Sequence, residues 1–132
     1  MSSPAWLHLT RALADTGVFI LWYRGDPRAR LFFRHPTLEI YYTRMTRKEL
    51  LHPPISDAER QHILRLLATL RLINPEGPIA AAYADLLTRY PYLQAHLPDT
   101  LIAASAWVKN LPLVTTNPRH FRPIQEIEVI TF

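Results

Sequence analysis

The chain has 132 residues, 48% of them apolar, no cysteine and a net charge of +4. This excludes a disordered chain, a disulfide framework and thiolate chemistry, and favours a single domain over residues 1–132 with a sizeable core. No basic-then-apolar leader opens the chain, and its longest apolar runs, such as residues 18–23, are far too short to cross a bilayer. The expectation is a soluble, cytoplasmic protein with no membrane contact.

In chain order, residues 8–14 read as a strand ending at Asp15, and residues 16–23 as a helix that Gly25 can stop. Asp26-Pro27 is an N-cap followed by proline at the first helical position, opening a second helix that runs to Arg34. Residues 38–43 alternate and are rich in β-formers, so they predict a strand. Thr46-Arg-Lys-Glu49 and Ser56-Asp-Ala-Glu59 each match a capping box and predict helix starts. The second of these continues to Leu70. A short strand follows at 72–73, a helix at 78–90, and a loop from 90 to 98.

The next stretch organises the rest. Between Thr100 and Lys109 only Ser105 interrupts an apolar run, so this helix has no obvious solvent face and belongs in the middle of the fold. Asp99 sits at its start. A strand at 112–115, a turn at 118–121 and a terminal strand at 127–132 complete the chain, with Asn117 following the first of these strands. Strands alternating with helices, without hairpin turns, predict a three-layer α/β/α domain on a mostly parallel sheet.

Charge is concentrated. Residues 24–48 hold seven cations (Arg24, Arg28, Arg30, Arg34, Arg44, Arg47, Lys48) against Asp26 and Glu39, a net +5 that exceeds the whole chain's excess. Trp22, Tyr23, Phe32, Phe33, Tyr41 and Tyr42 are interleaved with them. Such a segment suits a phosphate backbone or an acidic partner, and equally suits arginine stems laid over apolar surface.

Four polar residues converge on the carboxyl edge of the expected sheet, where ligands collect in open α/β folds. Asp15 and Asn117 follow strands; Glu49 and Asp99 lie in the first turns of helices leaving the same edge. Singly, each has an ordinary explanation as a cap or turn residue. Together, neighbouring carboxylates repel, and a divalent cation removes that cost. Oxygen ligands without cysteine or a helical histidine pair suit Mg²⁺ or Mn²⁺ better than Zn²⁺. The six histidines show no ligand spacing and read as surface or packing residues, with substrate contact the alternative for His120, which follows the Asn117 turn.

Ala14-Asp15-Thr16, Arg47-Lys48-Glu49-Leu50, Asp99-Thr-Leu-Ile-Ala-Ala-Ser-Ala and Leu113-Val-Thr-Thr-Asn117-Pro-Arg-His-Phe121 resemble the PIN-domain family. The nearest likeness is to VapC-type toxins of toxin–antitoxin pairs, with order and spacing kept over nearly the whole chain. The resemblance implies a Mg²⁺- or Mn²⁺-dependent endoribonuclease with Asp15, Glu49 and Asp99 as metal ligands and Asn117 completing the catalytic set. Many relatives carry a fourth acid at the Asn117 position, so a second metal is in question, and the alternative is a PIN-like RNA- or protein-binding module with an impaired metal site. RNA as substrate, a cognate antitoxin and a homodimer follow as expected partners, with Arg24, Arg28, Arg47, Lys48 and Arg119 as RNA or partner contacts. Trp22, Phe32 and Phe33 are the expected dimer-forming aromatics. The stripe of Ala80, Ala81, Ala82 and Ala84 suggests close helix packing.

Overall fold

The strand at the centre of the sheet, β1 (Arg11–Ala14), is apolar on both faces, as parallel strands covered by helices on each side must be. Ala12 and Ala14 face one layer and Leu13 the other, and all three are buried. This computed structural model describes residues 3–132. The other strands are β2 (Glu39–Thr43), β3 (Arg71–Ile73), β4 (Leu113–Thr115) and β5 (Val129–Thr131). They form one five-stranded sheet, all parallel, in the order β3-β2-β1-β4-β5. The chain therefore builds outward on one side of β1, then returns to start β4 on the other. That reversal opens a crevice at the carboxyl ends of β1 and β4.

Among the described residues, six α-helices cover the faces. On one side lie α1 (Thr16–Tyr23), α2 (Pro27–Phe33), α3 (Arg44–Leu51) and α4 (Asp57–Leu67), whose apolar residues pack with Ala12, Ala14, Ile40, Tyr42 and Val114. On the other lie α5 (Pro78–Arg89) and α6 (Leu97–Lys109), packed with Leu13, Ile73 and Leu113. In α6 the five consecutive residues from Ile102 to Ala106 are all buried, but Leu101, Trp107 and Val108 are half-buried and Lys109 is exposed, so the helix expected to have no solvent face is enclosed only in its middle. It ends at Asn110, whose left-handed φ of 52° closes the last turn by donating to the Ala106 and Trp107 carbonyls.

Several local expectations are corrected. The first strand begins at Arg11; Ala5–His8 is a turn of 3-10 helix that drops Trp6 into the core against Phe32, ring centroids 5.2 Å apart. Residues 91–95 are also a 3-10 turn, anchored by buried Leu93. α3 starts almost a full turn before the expected box: Thr43, leaving β2, accepts from the Thr46 amide at 3.3 Å and is the cap, while Thr46 is buried inside the helix. Glu49 is thereby in the second turn. Of the α5 alanines only Ala82 is buried. Trp22 and Phe32 are buried and Phe33 half-buried, packed tilted or edge-on among the chain's own rings, which leaves only Phe33 of the three with surface to offer a second copy.

Because Thr43 rather than Thr46 caps α3, Thr43→Val should lower stability by about 1 kcal/mol in urea unfolding. An unchanged midpoint would mean that the β2–α3 junction is held without that hydroxyl.

Candidate active site at the strand-order reversal

Asp15 follows β1 and caps α1, so its carboxylate is fixed from both sides. Its Oδ1 accepts from the Thr16 amide at 2.7 Å, and its Oδ2 accepts from the Thr115 hydroxyl at 2.8 Å. Thr115 ends β4, so the second of these bonds joins the two strands flanking the reversal. The same hydroxyl accepts from the Asn117 amide at 3.0 Å, which sets the direction of the chain beyond β4.

Glu49 comes to this rim on α3. Its Oε1 accepts from the Thr16 hydroxyl at 3.1 Å, and that hydroxyl lies 2.8 Å from the Thr46 hydroxyl. Thr46, read from sequence as a cap, is thus part of a buried threonine pair that orients Glu49. Asp99, in the first turn of α6, points to the other side of the rim, where its Oδ2 lies 2.7 Å from His120 Nδ1. Asn117 Nδ2 is 2.9 Å from the same nitrogen.

Burial is the main effect raising the Asp15 carboxyl above its ordinary range; the bonds from Thr115 and Thr16 oppose it, and repulsion from Asp99 adds to it. Glu49 is raised in the same way, by desolvation first, with Asp15 and Asp99 adding repulsion against the bond from Thr16. Three carboxylates from three elements therefore feel one another. Among the described residues no ion pair reaches Asp15 or Glu49. The three are not equivalent: the one tight group of potential metal ligands among the described residues is His96, Asp99 and His120, with donor atoms within 4.8 Å of one another, and Asp15 and Glu49 lie outside it.

The histidines are what the sequence reading missed. His96 is three residues before Asp99 and His120 three after Asn117, spacings that bring both to this edge once the neighbouring residues are placed there.

The basic segment divides. Arg28 lies over Phe132 at 5.1 Å and Arg30 over Trp22 at 5.1 Å, covering the chain's own rings. Arg24 is exposed at the end of α1. Arg44, Arg47, Lys48 and Arg60 line a cleft of about 390 Å³ floored by Met45, Leu51 and Leu101. Arg119 lines a second cleft, with Tyr92, Asn117 and His120.

A family model described as PIN domain matches residues 12–126. The chain belongs to the PIN-domain family. This PIN domain is 37% identical over 73 residues to Ribonuclease VapC10 of Mycobacterium tuberculosis (strain CDC 1551 / Oshkosh), a match covering 54% of this chain and 55% of that protein. The match thus spans about half the length of the curated relative. Among solved structures it is similar to a toxin–antitoxin complex from Klebsiella pneumoniae, with TM-score 0.76, 27% identity, and coverage of 91% of this chain and 96% of the other. It also shares its fold with VapBC2 from Rickettsia felis bound to a promoter DNA fragment, with TM-score 0.74, 18% identity, and coverage of 92% and 98%. No helix among the described residues is long and apolar enough to cross a membrane.

The raised Asp15 carboxyl has a consequence for stability. The folded chain holds that proton more tightly than the unfolded chain, so the stability it contributes is full at low pH and is lost as pH rises through the raised value. After an Asp15→Asn substitution the side-chain oxygen can still accept from Thr16, and the new amide can donate to Thr115. The variant should therefore have a metal-free melting temperature a few degrees above that of the wild type at neutral pH, with the gain shrinking toward acid pH. A variant that melts lower at neutral pH would mean that the charged form is favoured by the fold.

Proposed function

We propose that this PIN domain is a metal-dependent endoribonuclease that hydrolyses RNA phosphodiesters and serves as the toxin of a VapBC-type pair. The observation that carries the reading is the set of mutually repelling carboxylates from β1, α3 and α6 at the strand-order reversal, with no basic side chain paired to Asp15 or Glu49. Carboxylate oxygens flanked by threonine hydroxyls are a hard donor set, which fits Mg²⁺ or Mn²⁺. Asp15, Glu49 and Asp99 would hold the ion, with Asn117 beside them. When bound, it supplies positive charge that neutralises phosphate oxygens and makes water a better acid.

The chain's own residues do the rest. Thr115 and Thr16 hold the Asp15 carboxylate in one orientation, and Thr16 aims Glu49 at the same point. Arg44, Arg47, Lys48 and Arg60 offer cations to the phosphates of an RNA strand; Arg119 does so from the opposite cleft. Water oxygen adds to phosphorus, the P–O3′ bond breaks, and the leaving oxygen takes a proton, giving a 5′-phosphate and a 3′-hydroxyl. A cognate antitoxin belongs to the same proposal, supported by the likeness to the Klebsiella toxin–antitoxin complex, and a cytoplasmic site of action and a homodimer are proposed with it.

A second reading, an RNA- or protein-binding module with an impaired metal site, is favoured by the amide of Asn117 and by the separation of Asp99 from Asp15 and Glu49 within the tight ligand group. The two part on activity. Asp15→Asn, Glu49→Gln and Asp99→Asn should each keep the fold and reduce Mg²⁺-dependent RNA cleavage by on the order of a hundredfold or more. Full cleavage by folded Asp99→Asn would remove that residue from the mechanism, and no cleavage by the wild type with any divalent cation would favour the binding module.

RNA affinity should weaken with salt, and Arg47→Ala or Lys48→Ala should each reduce the slope of log affinity against log salt by about 1. A slope untouched by both would assign the cleft to something other than RNA.

A further inference from the structure

We propose that His96, Asp99 and His120 form a second binding site, for a borderline transition cation of the Zn²⁺ class, which shares Asp99 with the oxygen-only site of Asp15 and Glu49. One donor atom from each of the three lies within 4.8 Å of the others, two imidazoles and a carboxylate, and each side chain is half-buried at the rim. Three protein donors of this kind, with an open face for water, are what accessible zinc sites use. Imidazole shifts the preference away from Mg²⁺ toward Zn²⁺, Co²⁺ or Ni²⁺.

Two features separate this group from a plain ion pair. The first is the arrangement around His120 Nδ1, which lies 2.7 Å from an Asp99 carboxylate oxygen and 2.9 Å from Asn117 Nδ2. A ring nitrogen has one in-plane position, and here a carboxylate oxygen and an amide group from two other segments both converge on it. A cation at that position takes the lone pair and the carboxylate together, and a half-turn of the Asn117 amide adds its oxygen. The second is the third donor: the His96 and His120 rings lie 4.4 Å apart at 39°, although they belong to α6's start and to the turn (Pro118–His120) after β4.

The backbones that carry the histidines are tied down. The Thr100 hydroxyl donates to the His96 carbonyl at 2.9 Å, and the Tyr92 hydroxyl donates to the His120 carbonyl at 2.6 Å. Held backbones limit where the two rings can move. The amide end of α6 opposes a cation here, with a partial charge of about +0.5; the Asp99 carboxylate in the first turn offsets it.

Asp99 is shared. A Zn²⁺ ion on the histidine side draws it away from Asp15 and Glu49, and so would inhibit the Mg²⁺-dependent cleavage; that consequence, unlike the site itself, rests on the nuclease reading.

The test is titration of the full chain with Co²⁺, followed by its visible d–d absorption and by displacement with Zn²⁺. One equivalent should bind to the wild type. His96→Gln and His120→Gln should each weaken it by roughly tenfold or more, while His52→Gln, at an exposed position after α3, binds as the wild type does. His96→Asn and His120→Asn provide a second pair, and metal-free melting curves confirm that each variant is folded. No Co²⁺ band in the wild type, a band of equal strength in both histidine variants, or one weakened as much in His52→Gln would overturn the site. Mg²⁺-driven cleavage measured on the same samples separates the two proposals: cleavage without a histidine-dependent band sinks this one alone, and such a band without cleavage sinks the nuclease reading alone.

Discussion

The hydrogen bond from the Thr115 hydroxyl to Asp15 Oδ2, 2.8 Å across a sequence separation of 100 residues, is the constraint on which the rim depends. It spans the two strands that flank the reversal of strand order. Asp15 is only 8% exposed, so its carboxylate gives up most of its water. Two hydrogen bonds to a charged acceptor return part of what a buried carboxylate loses, since each is worth about 1.5–3 kcal/mol. The remainder shows as the raised carboxyl, which is unrelieved by any ion pair among the described residues. That cost sits at the crevice, where a cation can relieve it.

The scaffold brings the two sides of that crevice unusually close. Gly17, in the first turn of α1, has no side chain where a Cβ would lie 2.1 Å from the Thr116 hydroxyl oxygen. Any larger residue must turn the Thr116 side chain aside. Close packing there, together with the Thr115–Asn117 bond, leaves the loop beyond β4 little freedom. Rigid placement on strand ends and helix starts is what keeps a ligand set in register.

Legibility in the sequence followed how local each signal was. Asp26-Pro27 and Ser56 with Glu59 announced helix starts correctly because a cap is decided within four residues; Asp26 accepts from two amides and the Ser56–Glu59 box is closed in both directions. Thr43 and Thr46 stand three apart and either could cap; what decides is that β2 runs to Thr43 through pairing with Arg71–Ile73 of β3, a long-range fact. Phe32 looked available to a second copy because the rings that cover it, Trp6 and Phe132, arrive from opposite ends of the chain. Likewise His96 and His120 are 24 positions apart, too far for any spacing rule, and meet only because the start of α6 and the end of β4 share one edge. Asp15, Glu49, Asp99 and Asn117 could be placed at that edge from alternation alone, but not the split of Asp99 toward the histidines.

Composition also could not say which arginines are free to act. Arg28, Arg30 and Arg89 lie over aromatic rings of the chain itself, where a guanidinium gains from both the ring face and its apolar stem. Arg44, Arg47, Lys48 and Arg60 instead share a cleft, and none of them enters an ion pair among the described residues. Four like charges lining one opening raise one another's free energy, an arrangement that an anion relieves. The cleft adjoins the carboxylate rim through both of its walls: Lys48 precedes Glu49 on α3, and Leu101 stands two residues beyond Asp99 on α6. Cations and carboxylates so close would be expected to pair, yet Glu49 turns to Thr16 and Asp99 to His120. The threonine and histidine contacts thereby keep the two charge sets apart, leaving each with an unmet demand for a counter-ion of opposite sign.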